Sequence, residues 1–160
     1  KNRENQQKLF QNVEHYDALK KCLHLVNCLK HNTGGNSMYF PYFRGRQYEL
    51  LALKEVATKK LISSAIVPII EPVKIIPALN NPLSAFQDAS LPVALVINPN
   101  VGDLTDEPQI INQLLEKYLS PNVIPAILTN ESAEKGLIEL KSKGVDTSEI
   151  LTILNDPDLI

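Results

Sequence analysis

Five short apolar runs recur along this chain of 160 residues, and their starts lie 27 to 30 residues apart. A spacing of that length holds one β-strand, one helix and two loops, so it predicts a repeated strand–helix unit. Runs such as IVPII, VALVIN and VIPAIL are apolar at consecutive positions, which is typical of parallel strands covered on both faces. The predicted strands are Tyr39–Phe43, Ile66–Ile70, Val93–Asn98, Val123–Leu128 and Ile150–Leu154.

Amphipathic segments between the runs predict four crossover helices, at about residues 48–62, 75–89, 107–119 and 132–144. Asp106-Glu107-Pro108 places two acids and a proline in a first helical turn. Thr129-Asn130-Glu131-Ser132 offers capping side chains for the last helix, and Lys143-Gly144 is a typical helix stop. These start and stop signals support the same division into strands and helices.

The repeat predicts an α/β domain with a parallel sheet, built as the first half of a TIM-like (β/α)8 barrel. A complete barrel of that kind needs about 250 residues, so we expect a C-terminal half to be missing from this chain. An open doubly wound sheet is the alternative, since it is built from the same strand–helix units.

Residues 1–37 have a different character from the rest of the chain. Apolar residues recur there at steps of three and four, which predicts an amphipathic helix over residues 5–31, and Thr33–Ser37 is a Gly-rich linker. The domain division is therefore 1–37 for the helix and linker and 38–160 for the barrel-like part. The helix needs a partner surface for its apolar stripe, either on the following domain or on another chain.

Charge is distributed unevenly between the two parts. Residues 1–37 carry six basic and three acidic residues, whereas the remainder carries ten basic and fifteen acidic residues. A basic excess this small does not make the dense Lys/Arg face that nucleic acid requires, so no nucleic-acid partner is expected. His24, Cys28 and His31 share one face of the predicted helix, but a single straight helix rarely holds a tetrahedral ion alone, so no metal site is predicted.

No apolar run reaches the length that spans a membrane, and no signal segment opens the sequence. We therefore expect a cytoplasmic protein without a membrane partner. The sequence indicates no particular cofactor.

Polar residues follow each predicted strand, at the edge where α/β folds bind ligands. Arg44 and Arg46 can present planar guanidinium groups to a phosphate or carboxylate, and Gly45 allows the backbone to turn between them. Two structural alternatives stay open: an ion pair between Arg44 and Glu71, and a helix-surface pair between Arg46 and Glu49. The predicted ligand-binding residues are Arg44, Gly45, Arg46, Glu49, Lys74, Asn98, Asn100 and Asp103.

The chemistry open to this domain is limited, because residues 38–160 contain no His and no Cys. A Cys–His or Ser–His nucleophile is therefore excluded within that range. General acid–base catalysis is open only to Glu49, Glu71, Asp103 or Lys74. Glu71 is the candidate catalytic residue, as a base or as a metal ligand. Glu71 and Asp103 could share a divalent cation with an asparagine, but such oxygen ligands are too common in loops to form a motif.

Three ordered stretches resemble the opening of the bacterial and phage "beta protein" family: MYFPYFRGRQYELLALKE, IVPIIEPVK and LVINPNVGD. The resemblance covers residues 38 to about 130. It implies a barrel-like fold, a start at Met38 and a missing C-terminal half. The positions that match the family are Arg44, Gly45, Glu49 and Glu71. Asn98 and Asp103 match it less closely.

The resemblance leaves the function open, because the family has no established activity. Three hypotheses follow. In the first, the domain binds a small anionic ligand at the strand ends. In the second, it is a non-catalytic interaction protein, associated with phage defence or mobile elements, with a protein partner for the 5–31 helix. In the third, it is a metal-assisted hydrolase or lyase of a small anionic substrate.

Overall fold

The computed structural model describes residues 38–74, 77–105 and 108–154. The predicted 5–31 helix, its linker and the Asp106-Glu107 start signal lie outside the described residues. The strands are β1 (Tyr42–Phe43), β2 (Ile69–Ile70), β3 (Val93–Val96), β4 (Val123–Leu128) and β5 (Leu151–Ile153). The helices are α1 (Gln47–Thr58), α2 (Pro77–Ala89), α3 (Pro108–Tyr118) and α4 (Ala133–Ser142), and a short 3-10 helix at Thr147–Glu149 precedes β5.

The five strands form one parallel sheet in the order β1-β2-β3-β4-β5. Each helix connects two neighbouring strands, so the predicted strand–helix repeat is confirmed. A doubly wound sheet would reverse its strand order at a switch point, and this sheet does not reverse. The fold is the first half of a TIM-like barrel, a curled parallel sheet with one helix after each of the first four strands.

The helices pack on one face of the sheet, as right-handed crossovers in sequential order require. Phe43, Ile70 and Leu95 from the strands join one apolar cluster with residues of α1 and α2, including Leu50 and Phe86. Ile97 and Ile127 join a second cluster with residues of α3 and α4.

The opposite, inner face of the sheet carries a third apolar cluster, which contains no residue of the described helices. Both faces of the strands are therefore apolar, and this double burial explains their continuous apolar runs. The cluster is formed by Val67, Ile69, Ala94, Val96, Ala126 and Leu128.

The first strand is shorter than predicted because of a proline. The chain pairs from Tyr39 onward, where a parallel bridge joins Tyr39 to Ile66, but regular ladder geometry begins only at Tyr42. Tyr39 accepts a hydrogen bond from the amide of Val67, and Pro41 accepts one from the amide of Ile69. Pro41 has no N–H to donate in return, so the ladder is interrupted between these two bonds.

The predicted 48–62 helix is wrong at its C-terminal end. Helix α1 ends at Thr58, and Lys60 adopts a positive φ of 50°. The amide of Leu61 then donates to the carbonyl of Val56, which closes the helix in a Schellman-type turn. The reversal brings Ile62 into the core beside β1 and β2, and burial of that side chain favours the earlier stop.

The ends of α4 give one correction and one confirmation. Ser132 is the N-cap residue but its side chain makes no capping hydrogen bond; instead Asn130 Oδ1 accepts from both the amide and the hydroxyl of Ser132. At the other end, the amide of Val145 donates to Leu140 across Gly144, whose φ is 79°. The predicted Lys143-Gly144 stop is confirmed.

Within the described part of the chain, no helix is both long enough and apolar enough to cross a membrane.

Candidate ligand-binding site

The predicted site residues lie on the loops and helix starts that follow β1, β2 and β3, at the carboxyl edge of the sheet. Tyr42 pairs with Ile69 across β1 and β2, so the two side chains share the inner face. Glu71 follows two residues after Ile69 and continues on that face. The carboxyl end of the inner face is where a barrel fold presents groups to a ligand.

Arg44 and Arg46 flank a tight backbone turn between β1 and α1. Gly45 has a φ of 58°, and a Cβ there would lie 2.9 Å from the carbonyl oxygen of Glu71, so only glycine fits. Both arginine side chains are exposed. Within the described residues neither guanidinium forms a salt bridge or a hydrogen bond, so the pairs predicted with Glu71 and with Glu49 are not formed.

Glu49 has a structural role at the start of α1. Its Oε2 accepts a hydrogen bond of 3.1 Å from the backbone amide of Arg46, the N-cap residue. This satisfies an amide left without an intrahelical partner and places a negative charge beside the positive end of the helix dipole. Glu49 therefore caps α1.

Glu71 is buried, with 3% of its surface exposed, and it joins three strand ends. Its Oε1 accepts a hydrogen bond of 2.9 Å from the backbone amide of Asn100, in the loop after β3. The hydroxyl of Tyr42 on β1 also donates to the Glu71 carboxylate. These two donors satisfy the buried charge, as a carboxylate removed from water requires.

The same contact changes the chemistry of Tyr42. Burial, the negative charge of Glu71 and the hydrogen bond to it raise the pKa of the Tyr42 hydroxyl above its ordinary value, while Arg44 partly opposes the shift. Tyr42 therefore stays protonated at neutral pH and acts as a hydrogen-bond donor, not as a base.

Asn98 extends the β3–β4 ladder beyond the last paired backbone groups. Its Nδ2 donates to the carbonyl of Leu128 and its Oδ1 accepts from the amide of the same residue, both at 2.9 Å. Nδ2 also lies 2.8 Å from Oδ1 of Asn130. Asn130 in turn donates to the side chain of Asn100 and to the carbonyl of Asn98. The amides thus join the loops after β3 and β4, and Asn98 is fully occupied by protein partners.

Lys74 and Asp103 pair with each other at the rim. Their charged groups lie 3.5 Å apart and both side chains are exposed. A backbone hydrogen bond of 2.9 Å from Asp103 to Val73 holds the same two loops together. An exposed ion pair of this kind contributes about 0–1 kcal/mol, so the backbone bond is the more important of the two connections.

The carboxylates do not converge on one cleft. Glu49 caps a helix, Glu71 binds a loop amide, and Asp103 pairs with a lysine. Within residues 38–74, 77–105 and 108–154, no group of three or more His, Cys, Asp or Glu side chains could hold a metal ion. The two guanidinium groups are exposed, positively charged donors at this edge, and the described carboxylates near them do not form an acid–base pair.

Tyr42 is a site residue that the sequence analysis did not identify. A signal was present, because Tyr42 lies two residues before Arg44 and strand alternation places residues two apart on the same face. Its connection to Glu71 depends on the β1–β2 register, which only the pairing of the strands determines.

Comparisons with family models, with curated proteins and with solved structures gave no match to this chain.

Proposed function

We propose that this domain binds a small anionic ligand, carrying a phosphate or carboxylate group, over the carboxyl edge of its sheet. Arg44 and Arg46 are the proposed anion-binding residues. Glu71, Tyr42 and Asn100 form the support beneath them, and they fix the loop ends between which the ligand lies.

The observation that carries the proposal is that neither guanidinium group forms an ion pair or a hydrogen bond with another residue of 38–74, 77–105 or 108–154. The other charged residues predicted for the site have partners within the described chain: Glu49, Glu71, Lys74 and Asp103. Arg44 and Arg46 have none in that part of the chain, although only Gly45 separates them in a tight turn. A guanidinium fork binds a carboxylate or phosphate through two parallel hydrogen bonds, so paired arginines on such a turn favour an oxyanion.

The support for the arginines is preorganised, which favours binding over a merely solvated surface. Gly45 is buried against the backbone of Glu71, and Glu71 is held by donors from two other strand ends. Ordering the backbone that carries Arg44 and Arg46 therefore takes little of the free energy of ligand binding.

The proposal is tested with Arg44→Ala, Arg44→Lys and, as a matched control, Lys141→Ala, which removes an exposed cation from the last turn of α4. We expect phosphate or succinate to raise the melting temperature of the wild type above the value in sodium chloride of equal ionic strength. Losing a charge-assisted hydrogen bond costs about 1.5–3 kcal/mol, so both Arg44 variants should weaken binding by roughly tenfold or more.

Arg44→Lys should weaken binding almost as much as Arg44→Ala, because an ammonium point charge does not replace the planar fork. Lys141→Ala should bind as the wild type does. A wild type with no anion-specific shift, together with a large loss of melting temperature in Arg44→Lys, would make Arg44 a structural residue and contradict the proposal.

Binding is proposed here without catalysis. A metal-assisted hydrolase or lyase needs carboxylates that face one metal or substrate, whereas Glu49, Glu71 and Asp103 each have a separate structural partner. The resemblance to the "beta protein" family stays a prediction. It agrees with the proposal in one respect, since the family motif has a basic residue, Arg or Lys, followed by glycine at the positions of Arg44 and Gly45.

A further inference from the structure

An open cleft lies at the amino edge of the sheet, opposite the candidate ligand-binding site. Its volume is about 650 Å³. Residues that precede β1 and residues of β4 and β5 line the same cleft, because the curled sheet brings its first strand toward its last. The main apolar lining residues are Met38, Phe40, Leu119, Pro125, Ile150 and Leu151.

Three of these large apolar side chains are unusually exposed for a folded domain. The exposed fraction is 54% for Met38, 39% for Phe40 and 43% for Leu119. Scattered exposed apolar residues are ordinary, but three around one cleft form a contiguous patch, and such patches mark interaction sites.

We propose that this cleft binds residues 5–31 of the same chain, the amphipathic helix that the sequence predicts. This segment lies outside the described residues. The cleft, its short connection to the segment and the sequence of the segment each favour it as the occupant.

The connection favours an occupant from the same chain. Met38 lines the cleft, and the predicted helix ends only about six residues before it. Six extended residues span at most about 20 Å, which keeps the helix close to the cleft. A short flexible linker of this kind gives an effective concentration in the millimolar range, so even a small apolar contact suffices.

The chemistry of the two surfaces is complementary. The latter half of the predicted helix carries an apolar stripe through Leu19, Leu23, Val26 and Leu29. The cleft lining is mostly apolar, and Glu149 is its single charged side chain among the described residues. Residues 1–37 carry an excess of three positive charges, so the one acidic side chain of the cleft, Glu149, favours them over an acidic partner.

The two native cysteines provide a direct test. Cys22 lies three residues from Leu19, four from Val26 and seven from Leu29, so on the predicted helix it falls on the apolar stripe. Cys28 falls on nearly the opposite side. One helix therefore carries both a probe that should face the cleft and a control that should face away from it.

The experiment introduces Leu119→Cys into a Cys28→Ser chain and, separately, into a Cys22→Ser chain, and measures disulfide formation under mild oxidation. We expect Cys22 to form an intramolecular disulfide at least tenfold faster than Cys28 does. Phe40→Cys is a second cleft position that keeps the test available if Leu119→Cys does not fold. Ile138→Cys is the off-site control, because Ile138 is 62% exposed on α4 and does not line the cleft.

Three outcomes would overturn the inference. Equal rates for Cys22 and Cys28 would mean that the segment is tethered but not docked. Disulfides formed only between chains, with a rate that rises with protein concentration, would assign the cleft to a second copy. If Cys22 forms a disulfide with Leu119→Cys no faster than with Ile138→Cys, the cleft binds a partner other than this segment.

Discussion

Gly102 lies where the loops after β2 and β3 cross at van der Waals distance. Its φ is 93°, and a Cβ at this position would stand 2.1 Å from the carbonyl oxygen of Val73. This crossing of the two loops places the amide of Asp103 where it donates a hydrogen bond to the carbonyl of Val73. A glycine is required both by the conformation and by the space.

Gly102→Ala should destabilise the domain by about 2 kcal/mol or more, because a strained φ and a backbone clash add together. Gly144→Ala is the matched control. Its φ of 79° imposes the same kind of strain, but nothing lies within 4 Å of the added Cβ. Gly144→Ala should lower the free energy of unfolding, measured by urea denaturation, by about 1 kcal/mol. Equal losses for the two variants would show that the loop crossing is not close.

The hydroxyl of Tyr42 should titrate at a higher pH than an ordinary tyrosine does. Partial burial and the Glu71 carboxylate raise its pKa, so its tyrosinate absorbance should appear only above the pH at which an ordinary tyrosine ionises. Tyr42→Phe should remove that late step, whereas Tyr39→Phe should not. A late step that survives in Tyr42→Phe would contradict the hydrogen bond to Glu71.

The same pKa shift has a consequence for stability. A raised folded-state pKa means that the folded chain holds its proton more tightly than the unfolded chain does. The contribution of the Tyr42 proton to the free energy of unfolding is therefore complete below about pH 10. It is lost as the pH rises through the pKa of Tyr42 in the folded chain. The free energy of unfolding of the wild type should fall more steeply above pH 10 than that of Tyr42→Phe.

Among the elements, the segment before Met38 provides the clearest prediction. Thr33–Ser37 contains two glycines and no apolar residue, so we expect a flexible connection between the predicted helix and the sheet domain. Limited proteolysis with a protease of broad specificity should cut near Gly34-Gly35 and leave a stable fragment that starts close to Met38. The linker is not part of the contact proposed with the cleft, so we expect cleavage there whether or not the helix is docked. Complete resistance there, with cleavage elsewhere, would contradict the separation of the two parts.

The boundaries of the elements show where local sequence stops being sufficient. The end of α4 was predictable, because Gly144 supplies a local conformation that closes a helix. The end of α1 was not, because the lysines at positions 59 and 60 are compatible with a longer helix. The helix stops at Thr58 because the turn after it delivers Ile62 to the core, and that gain is tertiary.

At the scale of the whole molecule, the curled sheet brings two different kinds of surface to its two edges. The carboxyl edge carries the charged and amide side chains around Glu71, and the amino edge carries the apolar cleft around Met38. Parallel strands make this separation unavoidable, since every strand begins at one edge and ends at the other. Ligand binding and attachment of the N-terminal helix are therefore proposed at opposite ends of the domain, where one does not obstruct the other.

The sequence by itself determined the repeat, the parallel sheet and the edge at which the polar residues lie. Those properties follow from local periodicity and from the rule that successive strands connect in one hand. Only the tertiary structure decided which groups at that edge bind each other. The order of the strands suggested a pair between Arg44 and Glu71, yet Glu71 binds the amide of Asn100 and the hydroxyl of Tyr42, and Arg44 forms no ion pair with any residue that the structure describes. Which of several nearby donors satisfies a buried carboxylate depends on strand register and loop packing, and both are set by contacts between residues about 30 positions apart.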